Sequence, residues 1–165
     1  MKTLVVFDTK HGATRDVAAK IAEGIREAGG EAETLDLREK GSSKARLEGY
    51  DAVALGGPSY MGRWSKRASA FAASRAAELA GKEFAVFVVG NDAKGGSDPA
   101  RTALAQALAS RAQAAYFGGR LDFPKLSGFE RFIIKKVTGK AESSSTLDLE
   151  AARNFGQSLA KSGRR

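Results

Sequence analysis

Residues 3–30, TLVVFDTKHGATRDVAAKIAEGIREAGG, decide the fold. The run Leu4 to Phe7 is apolar at every position, not at every second one. A strand over Thr3–Phe7 must therefore be covered on both faces, as inner strands of a parallel sheet are. Behind it, Val17, Ile21 and Ile25 recur at helical spacing, and Gly29 with Gly30 is the stop. Between strand and helix lie Asp8 and the loop Thr9, Lys10, His11, Gly12, Ala13, Thr14, which leads straight into a helix starting near Arg15. Two hydroxyls bracket a glycine at a helix N-terminus, where free backbone N–H groups and the positive dipole end suit a phosphate. The loop has neither the G-x-x-x-x-G-K-[ST] of nucleoside triphosphatases nor the G-x-G-x-x-G of dinucleotide folds, so a mononucleotide monophosphate suits it better. The plainer alternative is that Thr9 or Thr14 caps the helix and Gly12 makes the turn. Lys10, His11 and Arg15 add cationic character, and His11 by itself reads as an exposed loop residue without an orienting partner.

The same alternation continues to about residue 120, with further strands over Ala32–Asp36, Ala52–Leu55, Phe84–Val89 and Ala114–Phe117. Short β-branched runs separated by alanine-rich helical stretches are the signature of βαβ units around a parallel sheet. Helical periodicity recurs around Phe71, at Leu104 and Leu108 after Asp98 and Pro99, and from Ser145 or Thr146 to Gly163. Two stretches break the rhythm: Lys40–Lys44, a loop, and Leu121–Ser145, too long for an ordinary connection and therefore functional or mobile. The 165 residues suggest one domain, 1–165, with an insertion at about 121–145.

Composition narrows the chemistry. There is no cysteine and one histidine, which excludes disulfides, thiolate nucleophiles and the usual structural zinc and iron–sulfur sites. No apolar run approaches the ~18 residues needed to cross a bilayer, and MKTLVVFD reaches an aspartate too soon for a signal peptide. A cytoplasmic protein is expected. A net charge of +8 and a pI near 9.9 favour acidic partners: nucleic acid, anionic lipid, or a substrate bearing carboxylates or phosphate.

Ligands on open α/β sheets bind beyond the carboxyl ends of the strands. Two more loops stand there. Gly56–Trp64, GGPSYMGRW, follows the third strand and offers Pro58, Ser59, Tyr60, Met61 and Gly62; Tyr60 and Met61 can wall a flat conjugated ring. Trp64 either joins that wall or is the first core contact of the next helix. Gly90–Asp98, GNDAKGGSD, offers Gly90, Asn91 and Asp92, with little bulk where a polar ring edge approaches the main chain.

The order of these parts, T-x-x-G-x-T after the first strand, an aromatic glycine loop after the third and a polar glycine loop after the fourth, resembles the flavodoxin-like FMN-binding family over nearly the whole chain. The resemblance implies a five-stranded parallel sheet of order 2-1-3-4-5 with helices on both faces. It also implies FMN, with the phosphate at Thr9–Thr14 and the ring gripped by Pro58–Gly62 and Gly90–Asp92. Within the family, MKTLVVFDTKHGATRDVAAKIAEGI and GGRLDFPKLSGFERFIIKKVTGK are similar to the menaquinone-dependent protoporphyrinogen oxidase branch, which carries a basic, aromatic insertion near its last strand. That branch implies an FMN-dependent oxidoreductase of heme biosynthesis, acting on a porphyrinogen and passing electrons to a quinone. No catalytic acid or base is assigned, no metal site is expected, and nucleic acid is not expected as a partner. The alternative is a flavodoxin-type electron carrier docking on an acidic redox partner. A receiver-type signalling domain is set aside, since Leu55–Gly57 stand where its phosphoacceptor aspartate belongs.

Six of the cations against two acids lie between Arg120 and Lys140, +4 of the +8. If Phe129–Val137 is helical, Phe129, Phe132, Ile133 and Val137 share one side, with Arg131 and Lys135 on the other. Such a helix can lie peripherally on an anionic membrane, on the inner face of the cell, or flank a pocket where Arg120, Lys125 or Lys136 meets substrate carboxylates. The plainer reading packs its apolar side into the core.

Overall fold

The computed structural model describes residues 1–91, 95–139 and 141–163. Strands β1 (Lys2–Phe7), β2 (Glu31–Asp36), β3 (Ala52–Tyr60), β5 (Glu83–Val89) and β6 (Gln113–Tyr116) pair in parallel, in the order β2-β1-β3-β5-β6. The short strand β4 (Arg63–Trp64) pairs antiparallel with the end of β3. Counting parallel strands alone, the order is the expected 2-1-3-4-5; β4 is what shifts the numbering.

Continuous apolar runs are buried on both sides, as their pattern demands. Leu4, Val6, Leu55, Val86 and Val88 face one core, shared with Phe71 of α2 (Lys66–Ser74), Leu79 of α3 (Ala76–Ala80) and Leu108 of α5 (Gln106–Ala109). Val5, Phe7, Ala54 and Phe87 face the other, against Ile21 and Ile25 of α1 (Ala13–Glu27) and Leu159 of α7 (Leu149–Ser162). Odd and even residues of β1 thus feed different cores, as the pleat requires. Helices α1 and α7 cross at paired glycines: a Cβ on Gly24 would lie 1.9 Å from the Arg153 carbonyl oxygen, and one on Gly156 2.1 Å from that of Ile21.

Several boundaries differ from the sequence expectation. The third strand runs to Tyr60 and not Leu55, because β5 pairs with it through Pro58 and β4 folds back on its last residues. The helix expected across Leu104 and Leu108 is two, α4 (Asp98–Ala103) and α5, interrupted by extended backbone at Leu104 and Ala105. The last helix begins later, with Asp148 as its cap, its carboxylate accepting the Ala151 N–H at 2.8 Å. The Lys40–Lys44 loop contains a 3-10 turn at Ser42–Lys44.

The long break after β6 is built as a small antiparallel pair, β7 (Arg120–Leu121) with β8 (Ser144–Ser145), enclosing a 3-10 turn at Phe123–Lys125 and helix α6 (Gly128–Thr138). The helix opens with a capping box in which Ser127 and Glu130 bond each other's backbone N–H, and it closes on Gly139 at φ 68°. Among the described residues no helix is long and apolar enough to cross a membrane.

Candidate functional site at the carboxyl edge of the sheet

β1 delivers the chain to Asp8, whose N–H donates to the Gly56 carbonyl at 3.0 Å. The Asp8 side chain is buried and accepts hydrogen bonds from Ser65 Oγ at 2.7 Å and Arg38 Nε at 2.8 Å. Ser65 also caps α2, accepting the Ala68 N–H. The root of the first loop is therefore tied to the start of the helix after the second. Beyond it, Thr9 Oγ1 accepts the Gly12 N–H at 2.9 Å and closes a tight turn. Gly12 sits at φ 92° in the left-handed region as the N-cap of α1, with no side-chain cap, so the first-turn N–H groups of the helix stay open. Thr9 and Gly12 make the turn, as the plainer reading has it, and no side chain caps the helix end behind them.

The aromatic loop is a hairpin tip. Met61 at φ 49° and Gly62 at φ 74° form a two-residue turn with both φ positive, the geometry that matches the twist of paired strands. Tyr60 and Met61 project outward, 56% and 89% exposed. Trp64 does not join them. It is buried in the core and donates its indole N–H to the Gly57 carbonyl at 3.2 Å. Ser59, between these extremes, is buried, and its hydroxyl has no hydrogen-bond partner among the described residues. On the third loop a Cβ at Gly90 would fall 2.8 Å from the Ser59 carbonyl oxygen, so only glycine lets the two loops close. Asp92 lies outside the described residues.

Eleven of the expected residues line one cavity of about 230 Å³: Thr9, Lys10, His11, Ala13 and Thr14, then Pro58, Ser59, Tyr60 and Met61, then Gly90 and Asn91. Gly12 faces an adjoining open groove with Arg15 and Lys125, and Gly62 serves the turn without reaching the cavity. The insertion supplies a further wall through Gly119, Arg120, Leu121, Asp122, Leu126 and Ile134. Of these, only Arg120 was singled out from sequence. The signal for the rest is the pair Gly118–Gly119: a Cβ on Gly118 would lie 2.0 Å from the Thr146 carbonyl oxygen, and one on Gly119 2.5 Å from Asn91 Oδ1.

The insertion is also bound to the first loop electrostatically. Arg120 pairs with Asp16 of α1 at 2.5 Å. Glu130 accepts hydrogen bonds from Lys10 and, at 3.3 Å, meets His11 Nε2. His11, read as a free loop residue, thus has a carboxylate partner 119 positions away. The bond from Lys10, seconded by the Ser127 backbone N–H, holds the Glu130 carboxyl at about 2, well below the usual range. The Tyr60 phenol is pushed upward, first by desolvation and then by the Glu130 charge.

An open helix N-terminus, a buried hydroxyl without a partner and a projecting aromatic ring around one cavity fit a ligand with a phosphate at one end and a flat polar ring at the other. Comparison with known proteins agrees. The family model described as "Flavodoxin domain" matches residues 4–148. Protoporphyrinogen IX dehydrogenase [quinone] of Escherichia coli is 25% identical over 174 aligned positions, covering 97% of this chain and 95% of its own. A flavodoxin of Clostridium saccharobutylicum is 30% identical over 127 positions, 72% of this chain and 74% of its own. The crystal structure of Flavodoxin 2 from Bacillus cereus superposes with a TM-score of 0.65 at 21% identity, covering 98% of this chain and 99% of that one. The chain belongs to the flavodoxin domain family, and FMN is its cofactor.

Proposed function

We propose that the chain, one domain over 1–165, is an FMN-dependent oxidoreductase that resembles protoporphyrinogen IX dehydrogenase (quinone) of heme biosynthesis. The observation that carries this reading is the insertion wall: Arg120, Leu121, Leu126 and Ile134 line the same cavity as Tyr60 and Met61, where a simple carrier needs only an exposed ring edge. The relative of that name aligns over nearly both whole chains, so the alignment spans the insertion.

When bound, FMN supplies two-electron chemistry, taking a hydride equivalent from one partner and returning two electrons to another. The chain's own residues would do the rest. The backbone N–H groups of Ala13 and Thr14, with the hydroxyls of Thr9 and Thr14, would hold the phosphate on the turn that Gly12 makes by donating its N–H to Thr9; Lys10 and His11 flank this loop, paired with Glu130. Pro58, Ser59, Tyr60 and Met61 would shape one side of the ring site, with Gly62 making the turn behind them, and Gly90 and Asn91 would meet its polar edge. The Ser59 hydroxyl, without a partner among the described residues, would donate to a ring atom. Arg120 stands in the same cavity as a counter-ion for a substrate carboxylate. The substrate loses a hydride and a proton per cycle, and a quinone gains two electrons and two protons. This reading places the protein in the cytoplasm, peripheral to the inner face of the membrane in which quinones dissolve.

A second reading, a flavodoxin-type electron carrier, is favoured by the 30% identical relative and by the basic surface, +8 overall, which would steer an acidic redox partner. Anaerobic mixing of the FMN-loaded protein with protoporphyrinogen and a menaquinone analogue separates the two. Porphyrin fluorescence should rise well above the flavin-free control, and a rate equal to that control leaves the carrier reading standing.

A further inference from the structure

Helix α6 is amphipathic with its apolar side turned outward. At ~100° per residue, Phe129, Phe132, Ile133, Lys136 and Val137 share one side. Its four apolar members are exposed: Phe129 73%, Phe132 63%, Ile133 40% and Val137 74%. The flank next to Val137 carries Glu130, held by Lys10 and His11, and beyond it Ile134 in the cavity wall. Arg131 is engaged as well, donating to the carbonyls of Phe123 and Pro124. Polar contacts thus orient the helix, and they leave the apolar side in water. Single exposed apolar residues are ordinary; four on one side of an 11-residue helix mark a contact surface.

Charge decides what covers it. The helix's one acid, Glu130, is paired with Lys10, whereas Lys136 is exposed within the apolar row and Lys135 is exposed on its flank, about 60° round the helix from Phe132. Lys136 stands 6.0 Å from the Phe132 ring. A second copy of a chain with net charge +8 would meet like charge. Two phenylalanines, Ile and Val with lysines alongside are the composition of a helix lying in the headgroup plane, where lysine stems follow the apolar surface and their ammonium groups reach phosphates.

We propose that the outward side of α6 docks on an anionic lipid surface, with Phe129, Phe132, Ile133 and Val137 entering the acyl boundary and Lys135 and Lys136 meeting headgroup phosphates. Because Ile134 of the same helix lines the cavity, docking brings the cavity to the lipid–water boundary. The proposal deepens the oxidoreductase reading and rests on it for its purpose; the surface itself needs no flavin.

The test is co-sedimentation of the full chain, with and without FMN, on vesicles of phosphatidylcholine alone and of phosphatidylcholine with phosphatidylglycerol. The protein should bind the mixed vesicles, bind neutral ones weakly, and lose binding as salt rises, equally in both flavin states. Phe129→Ser with Phe132→Ser, and separately Lys135→Glu with Lys136→Glu, should each weaken partition at least about ten-fold while FMN affinity and circular dichroism stay unchanged. Wild-type protein that ignores both vesicles, or variants that keep full partition, would overturn the proposal. So would a concentration-dependent dimer, seen by ultracentrifugation without vesicle binding, that the serine pair dissolves. Vesicle binding without porphyrinogen oxidation would sink the oxidoreductase reading alone.

Discussion

Replacing Gly12 by valine tests the phosphate site through two separable effects. Gly12 lies at φ 92°, so a side chain there costs about 1–2 kcal/mol of backbone energy, and more for a β-branched one. The protein offers no steric block of its own: the nearest atom to a Cβ would be Arg120 Nη2, at an ordinary 3.5 Å. Stability should therefore fall by the backbone term alone, lowering the melting temperature of a chain this size by about 2–8 °C. That strain is present with and without FMN, so it cancels from the binding constant. What remains is the loss of close approach between phosphate and the loop N–H groups, worth roughly 1.5–3 kcal/mol for one charge-assisted bond, or about ten- to a hundred-fold in affinity. Thermal unfolding of the flavin-free protein and fluorescence titration of FMN read the two quantities independently. Gly12→Val with a lowered melting temperature and undiminished FMN affinity would refute the placement of the phosphate on this loop.

Two other predictions follow from single contacts. In an isolated helix Gly24→Ala would gain about 1 kcal/mol; here its methyl would sit 1.9 Å from the Arg153 carbonyl oxygen, so the helices must part at a cost of about 1–3 kcal/mol. A rise in stability on urea unfolding would mean that α1 and α7 do not cross this closely. For Glu130, a folded value near 2 against 4.5 unfolded means the pair with Lys10 stabilises the fold above pH about 4.5, and that contribution is lost as pH falls through 2. The Glu130 carboxyl carbon should titrate near 2 by NMR and move back toward 4.5 in Lys10→Gln; a wild-type midpoint near 4.5 would show the pair to be absent.

The strands, their parallel order and the first loop were legible because each signal is local. Leu4–Phe7 shows burial on both faces, and Thr9–Thr14 shows a turn into a helix, within a dozen neighbouring residues. That residues 9–11, 13–14, 58–61 and 90–91 border one cavity followed from a rule about strand ends and needed no side-chain detail. Legibility stopped where partners are far apart in the chain. Arg120 meets Asp16 across 104 positions and Glu130 meets Lys10 across 120, and no periodicity records such pairs. Trp64 shows the same limit, because a loop tryptophan can turn to the ring site or the core; the Gly57 carbonyl decides for the core.

Helix α6 draws the boundary between the two kinds of knowledge. Spacing alone determined that Phe129, Phe132, Ile133 and Val137 share a side, since 3.6 residues per turn depends only on the backbone. Which way that side faces depends on what anchors the helix. The pairing of Glu130 with Lys10 and His11, a contact between segments that meet only in the folded chain, turned the apolar row outward.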